Sequence, residues 1–401
     1  MTPARFPLLL LIPFLWLVRR LATGHFVPPT PLNLSLVLLL LMVLVSLYAT
    51  FDLAFSLPKI AGVLYGLAVY FAVVALAGRS SRHLWWVVSG FIGLGLVVAA
   101  AGVVTAQRTT KLPWVTSITS ALPASLSVVN PNEVAGVLLW IGPLALVVAG
   151  AALFTRLPLA SSRRLLRTLL ILAAVLAALL INGVILFTQS RSAILGLLLA
   201  LVFIVFVVAS RDRRHLYALV LLTVFAVAGG LRLANDIPVL PQFTGLDGAQ
   251  SALSDTSLAG RWQIWTRAVY GIQDFAFTGM GLGTFRQMVH ILYPLYLVGP
   301  GPDIGHAHNH LLQTGLDLGV PGLIAYLAIW LGLGNMLWLL WQRTKLFWFR
   351  TLALGLGASL LAYFAYGMID AVALGARPGF LFWILLGLVS GLYRLFDSQH
   401  S

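Results

Sequence analysis

The sequence predicts an all-α integral membrane protein. The expected architecture is a polytopic bundle of about 10–12 transmembrane helices with one larger outer loop that carries amphipathic helices. Three observations predict it. Of 401 residues, 60% are hydrophobic and only 9% charged, against about 25% charged in a soluble domain. Apolar stretches recur from one end of the chain to the other. Basic residues gather in alternate short connections between those stretches. A soluble chain of this length would fold as two or three domains; a membrane bundle reads as one domain, residues 1–401.

Eleven apolar segments carry the bundle. The first, residues 6–18, is short and contains Pro7 and Pro13. It fits an interfacial helix, a re-entrant segment or part of a tilted span. No small-residue cleavage site follows it, which argues against a removed signal peptide. The other ten are residues 34–48, 60–77, 84–104, 134–154, 169–187, 193–209, 216–233, 318–341, 352–369 and 380–395.

The chain has no cysteine, which excludes disulfides, thiolate zinc sites and a cysteine nucleophile. Its net charge of +14 would suggest nucleic acid in a soluble protein. Here the short loops account for it, and no nucleic-acid partner is expected. The basic loops hold Arg19 and Arg20; Arg79 and Arg82; Arg156, Arg163, Arg164 and Arg167; Arg211, Arg213 and Arg214; and Arg343, Lys345 and Arg350. Translocating cations is costly, so these loops should face the cytoplasm. The alternation puts the C-terminus inside. It puts outside the loops around Arg108, Arg191 and Arg377 and the long loop 235–310.

That outer loop begins with an irregular stretch, residues 236–256, rich in Pro, Gly, Ser and Asp. Trp262, Trp265, Val269 and Ile272 then recur at helical spacing, as do Phe285, Met288, Val289 and Leu292. Both sets predict amphipathic helices at the membrane surface. Gly279, Gly281 and Gly283 form the turn between them. No βαβ unit surrounds this GxGxG, so it is no dinucleotide fingerprint.

Several outward-facing residues carry possible chemistry. Arg191, in Gln189-Ser190-Arg191-Ser192, fits either a snorkelling interfacial cation or an anion ligand whose planar fork matches phosphate oxygens. Arg261 opens the first amphipathic helix in a loop of three arginines and five aspartates, so it belongs to no polybasic patch. On its own it reads as a solvated helix residue about as readily as a functional one. His306, His308 and His310 alternate before a helix starting near Leu311. Zinc is one reading, but the ligand spacing is unusual and Asp303 is the only carboxylate close in sequence. A polar helix start is another. A single histidine acting as general base is the third, since imidazole titrates near neutrality. Asn130 or Asn132 can cap the helix that follows Pro131, with Glu133, the chain's only glutamate, suiting its dipole. Asp317 and Asp370 lie in or at the ends of apolar segments, where ionisable groups usually face a polar cavity.

Taken in order along the chain, these pieces resemble the O-antigen ligase and polymerase superfamily. The resemblance runs over residues 130–395: Asn130-Pro131-Asn132; Ser190-Arg191-Ser192-Ala193; Arg261 with Trp265; Gly279-Met280-Gly281-Leu282-Gly283 before Phe285; and His308-Asn309 with Leu312-Gln313, Leu318-Gly319 and Gly322. The last is the most specific. The resemblance implies a bacterial inner-membrane glycosyltransferase that needs no metal or other cofactor. It implies transfer of a glycan from undecaprenyl pyrophosphate to a hydroxyl of a lipid A-core or other surface acceptor, on the outer face. It assigns Arg191 and Arg261 to the pyrophosphate and His308 to the base, with Asn309, Gln313, Asn132 and Asp370 in support. A polymerase of the same superfamily is the alternative, and a protein oligosaccharyltransferase or a flippase a more distant one. The chain departs from the family in showing fewer clear spans, and its first third carries no family motif.

Overall fold

The computed structural model describes residues 11–105, 130–155, 164–209, 258–299, 301–372 and 374–398. These form thirteen α-helices and one 3-10 turn, with no strand among the described residues. In chain order they are α1 (Leu11–Thr23), α2 (Asn33–Ser46), α3 (Leu53–Ala77), α4 (Ser81–Thr105), α5 (Pro131–Leu138), α6 (Gly142–Phe154), α7 (Arg164–Phe187) and α8 (Arg191–Ala209). Then follow α9 (Leu258–Asp274), α10 (Thr284–Leu292), α11 (His310–Arg343), α12 (Phe347–Gly367), the 3-10 turn Arg377–Gly379 and α13 (Phe380–Asp397). Among the described residues seven helices, α3, α4, α7, α8, α11, α12 and α13, are long and apolar enough to cross a membrane. The protein is therefore a polytopic helical membrane protein. The expected segment 216–233, the irregular stretch before α9 and the loop at Arg108 lie outside the described residues.

Two segments differ from the sequence reading. Residues 134–154 read as one span, but α5 and α6 meet at a bend of 44°. Pro143 sits at the start of α6 and interrupts the hydrogen-bond ladder there. In an apolar layer the freed backbone groups need partners. Asn182 Nδ2 donates to Gly142 O at 3.0 Å, and Leu144 N–H donates to Ser359 Oγ at 3.1 Å. The other segment is 318–341. It is the body of a 34-residue helix that starts at His310 and kinks at Gly319, where φ is 70°. Asn309 caps it, accepting from Leu311 N–H at 2.9 Å and Leu312 N–H at 3.0 Å.

Close packing of α3 on α13 relies on small residues: Gly66 lies against Trp383 and Gly391 against Ala77. Large apolar side chains also point outward, among them Leu172, Leu176 and Leu179 of α7 and Leu34, Val37 and Leu41 of α2. In water these faces would drive aggregation; against acyl chains they carry no such penalty.

Helices α9 and α10 of the long loop form their own small core with α11. Ile264, Ala268, Phe285, Val289 and Leu316 are buried together. The face of α9 in this core is thus Ile264 and Ala268, buried, with Ile272 of the expected face partly buried against them, whereas Trp262 and Val269 of that face are exposed. Apolar residues line both sides of α9, so the pattern alone does not say which side meets α11.

The bundle has two distinct ends. Helix α8 runs antiparallel to α12, because Gly196 meets Ala362 and Gly357 faces Phe203. Arg191 is therefore level with the C-terminal end of α12. The starts of α5 and α11 share that end: Tyr366 O–H donates to Asn132 O at 2.9 Å, and Asn309 Nδ2 donates to Met368 O at 3.1 Å. At the opposite end Trp85 stacks edge-on against Trp348, and Gly78 lies beside the Arg394 side chain. Arg79, Arg82, Arg343 and Lys345 belong to that second end and are exposed.

Candidate active site

The residues of the first end converge on Asp370, which lies three residues beyond the last residue of α12 and is buried. Its Oδ1 lies 3.2 Å from His308 Nδ1 and 3.9 Å from His306 Nε2. On the other side Arg261 Nη2 stands 4.0 Å from Oδ2. The two imidazole rings are 4.4 Å apart, and His308 N–H donates to His306 Nδ1 at 3.1 Å. The carboxylate accepts, so the His308 proton sits on Nδ1 and the Nε2 lone pair is left free.

Backbone strain marks the same places. His308 has φ of 49° and Gln189 has φ of 51°, the two non-glycine residues in the left-handed region among those described. Each costs roughly 1–3 kcal/mol unless its surroundings enforce it. One is the candidate base itself; the other lies two residues before Arg191.

Charge and burial oppose each other here. Burial works against the ionised form of Asp370. The hydrogen bond from His308, the electrostatic influence of the two imidazoles and the Ala371 N–H outweigh it, so the carboxyl sits below its ordinary pKa. Burial, and then the adjoining His308, push His306 down to about 4. The result is an ionised carboxylate beside a neutral His306. Arg261 is nearly covered, at 12% side-chain exposure, yet its Nε has no partner among the described residues. Its fork is positioned but not consumed, as an anion ligand requires.

The expected supporting residues are placed differently from one another. Asn309 caps α11 and ties it to α12, as above. Gln313 Oε1 accepts from Ala307 N–H at 2.8 Å and its Nε2 donates to Asp317 Oδ1 at 2.9 Å, which holds the segment bearing both histidines. Asn130 rather than Asn132 caps α5, accepting from Asn132 N–H at 2.9 Å, and Asn132 contributes its carbonyl to Tyr366. Arg191 is exposed at the start of α8, on the same end but in no ion pair among the described residues. The other outer-loop arginines turn away: Arg267 donates to Pro294 O at 3.0 Å, and Arg286 pairs with Asp303.

The zinc reading based on His306, His308 and His310 does not hold. His310 points into the core, with Nδ1 3.0 Å from the Tyr326 hydroxyl and its ring against Trp330 and Phe364. Asp303 is engaged by Arg286. Instead His306, His308 and Asp370 offer donor atoms within 4.8 Å of one another, a set able to hold a metal ion.

The glycine turn joins this site to the first third of the chain. Gly279, Gly281 and Gly283 all have positive φ, at 68°, 94° and 81°. A Cβ on Gly279 would stand 2.5 Å from Leu318 N, and one on Gly283 2.5 Å from Lys59 Nζ. Asp317 Oδ1 accepts from Gly283 N–H at 3.0 Å, and Lys59 lies close enough to act electrostatically on both Asp317 and His306. The sequence reading missed Lys59. The available signal was a cation at the end of an apolar segment opposite its basic loop, against the charge bias of the loops, as at Arg191.

A polar, partly buried constellation thus lies at one end of a helical membrane bundle. Residues 173–327 match the family model described as O-antigen ligase. That match supports the O-antigen ligase superfamily for this chain, the family its motifs resemble. It spans Arg191, Arg261, His306, His308, Asn309 and Gln313; Asn132 and Asp370 fall outside it. No curated protein matches the chain.

Proposed function

We propose that the protein is an O-antigen ligase-like glycosyltransferase. It moves a glycan from undecaprenyl pyrophosphate to a hydroxyl acceptor, such as lipid A-core, on the outer face of the bacterial inner membrane. The observation that carries this reading is the arrangement around Asp370, with His308 on one carboxylate oxygen and Arg261 beside the other.

In this mechanism the acceptor hydroxyl lies against His308 Nε2. Its oxygen attacks the anomeric carbon of the donor sugar and its proton passes to Nε2. The bond from that carbon to the pyrophosphate oxygen breaks, and the leaving group keeps the electron pair. Charge on the leaving pyrophosphate grows in the transition state, where the fixed guanidinium groups of Arg261 and Arg191 stabilise it. Asp370 holds the His308 tautomer and stabilises the imidazolium. No step requires a metal, so transfer should survive a strong chelator.

The test is transfer by purified protein from an undecaprenyl-pyrophosphate glycan to lipid A-core. His308→Ala should lose about 10²–10⁴ in rate, the range of a positioned base, and should still bind the donor. His306→Ala should lose far less. Near-normal transfer by His308→Ala at normal protein level would reject the base. Product length would separate ligation of a finished glycan from polymerisation.

A further inference from the structure

The three donors around Asp370 Oδ1 have a use that transfer does not require. His308 Nδ1 and Asp370 Oδ1 are 3.2 Å apart. Two ligands of a tetrahedral ion with bonds of about 2.0–2.2 Å are separated by roughly 3.3–3.6 Å. His306 Nε2, at 3.9 Å from the same oxygen, needs a shift of a few tenths of an ångström. Arg261 approaches Oδ2, and Oδ1 accepts from Ala371 N–H at 2.9 Å, so an ion takes the lone pair of Oδ1 that faces His308 Nδ1. Two imidazoles and one carboxylate suit a borderline transition metal rather than magnesium or calcium. We propose that His306, His308 and Asp370 form an inhibitory site for such an ion, of which Zn²⁺ is the natural example.

Inhibition follows from where the ion binds. It takes the position of the proton between His308 Nδ1 and Asp370 Oδ1. That proton moves to Nε2 of the same ring, which stays neutral. Nε2 then has no lone pair with which to accept the acceptor's proton. His306 binds through Nε2 with its own proton on Nδ1, so it gives up the bond from His308 N–H. Losing that bond makes the site weaker than a structural zinc centre and readily reversible. A fourth ligand position remains for water or an oxyanion. The binding half of the proposal stands on geometry alone; the inhibitory half rests on His308 acting as the base.

The test uses the full chain in detergent without a polyhistidine tag. Co²⁺ is titrated as a visible-absorbing probe, and Zn²⁺ is then added to displace it. Wild type should show one saturable equivalent of tetrahedral absorption that Zn²⁺ abolishes. His306→Ala and Asp370→Asn each remove a direct ligand and should weaken binding by more than the about 10–100-fold that losing a group merely hydrogen-bonded to a ligand costs. In parallel, Zn²⁺ should inhibit transfer over the range in which it displaces Co²⁺, and chelator should restore it. His306→Ala, compared with its own metal-free rate, should need correspondingly more Zn²⁺. No saturable band, or a band unchanged in both variants, overturns the site. A saturable band with transfer raised by Zn²⁺ overturns the inhibitory role. Absence of any transfer in wild type would instead count against the transfer reading, while the cobalt titration still decides the site.

Discussion

The two ends of the bundle handle charge in opposite ways. At one end Arg79, Arg82, Arg164, Arg343 and Lys345 stand exposed on short connections. At the other, Arg261, Asp370, His308 and His306 are gathered and largely covered. Exposed cations contribute little to stability, but they bias which side of a membrane a loop occupies. Covered charges are costly and persist where they pair or where function holds them. On the proposed reading, arginine sets orientation at one end and serves chemistry at the other.

The sharpest way to break this comparison is to alter the covered charges one at a time while keeping the side chains' size. Arg261→Lys keeps the cation but loses the fork, and Asp370→Asn keeps the shape but loses the charge. Each should lower transfer by roughly 10²–10³, the usual loss on removing one group aimed at developing charge. Accumulation in the membrane should be unchanged. Full activity in Arg261→Lys would make that residue only a nearby charge.

A smaller effect is expected from the turn that joins the site to α3 and α11. Gly279→Ala would force a positive φ on alanine and drive its Cβ into the backbone of Asp317 and Leu318. The cost should be roughly 2–4 kcal/mol from backbone strain and overpacking, read as a lowered unfolding midpoint. An unshifted midpoint would show that the turn tolerates a side chain.

The smallest effect concerns acid. His306 is held neutral, with its pKa lowered to about 4 in the folded protein. The unfolded chain binds its proton near pH 6.5, so stability from this group is present above that value and falls as pH drops toward about 4. Asp370, also lowered, acts in the same direction. Unfolding midpoints should therefore fall on acidification, and His306→Gln should flatten the slope. An identical slope in His306→Gln would place the acid sensitivity elsewhere.

Much of this was legible because it is local. Apolar runs mark the spans, Asn130 and Asn309 mark helix starts, and His308 with Arg261 stood out as polar residues among apolar ones. Other features depend on packing between distant segments. His308 and Asp370 are 62 residues apart and meet only because α11 begins where α12 ends. His306 joins them through a strained backbone at His308, whereas His310, two residues on, is rotated into the core. The α5–α6 bend depends on Asn182 and Ser359, whose polar groups meet the freed backbone from other helices. Lys59 lay in the first third, where no family motif directed attention to it.

The central claim is that the site end faces outward and the basic end faces the cytoplasm. The cysteine-free chain allows a direct test with single cysteines at exposed positions of each end. Gly301→Cys lies in the segment leading to His306, and Lys345→Cys lies between α11 and α12. In intact spheroplasts an impermeant thiol reagent should label position 301 and should reach position 345 only after the membrane is opened. Labelling of 345 with protection of 301 would contradict the orientation, and with it the placement of glycan transfer at His308.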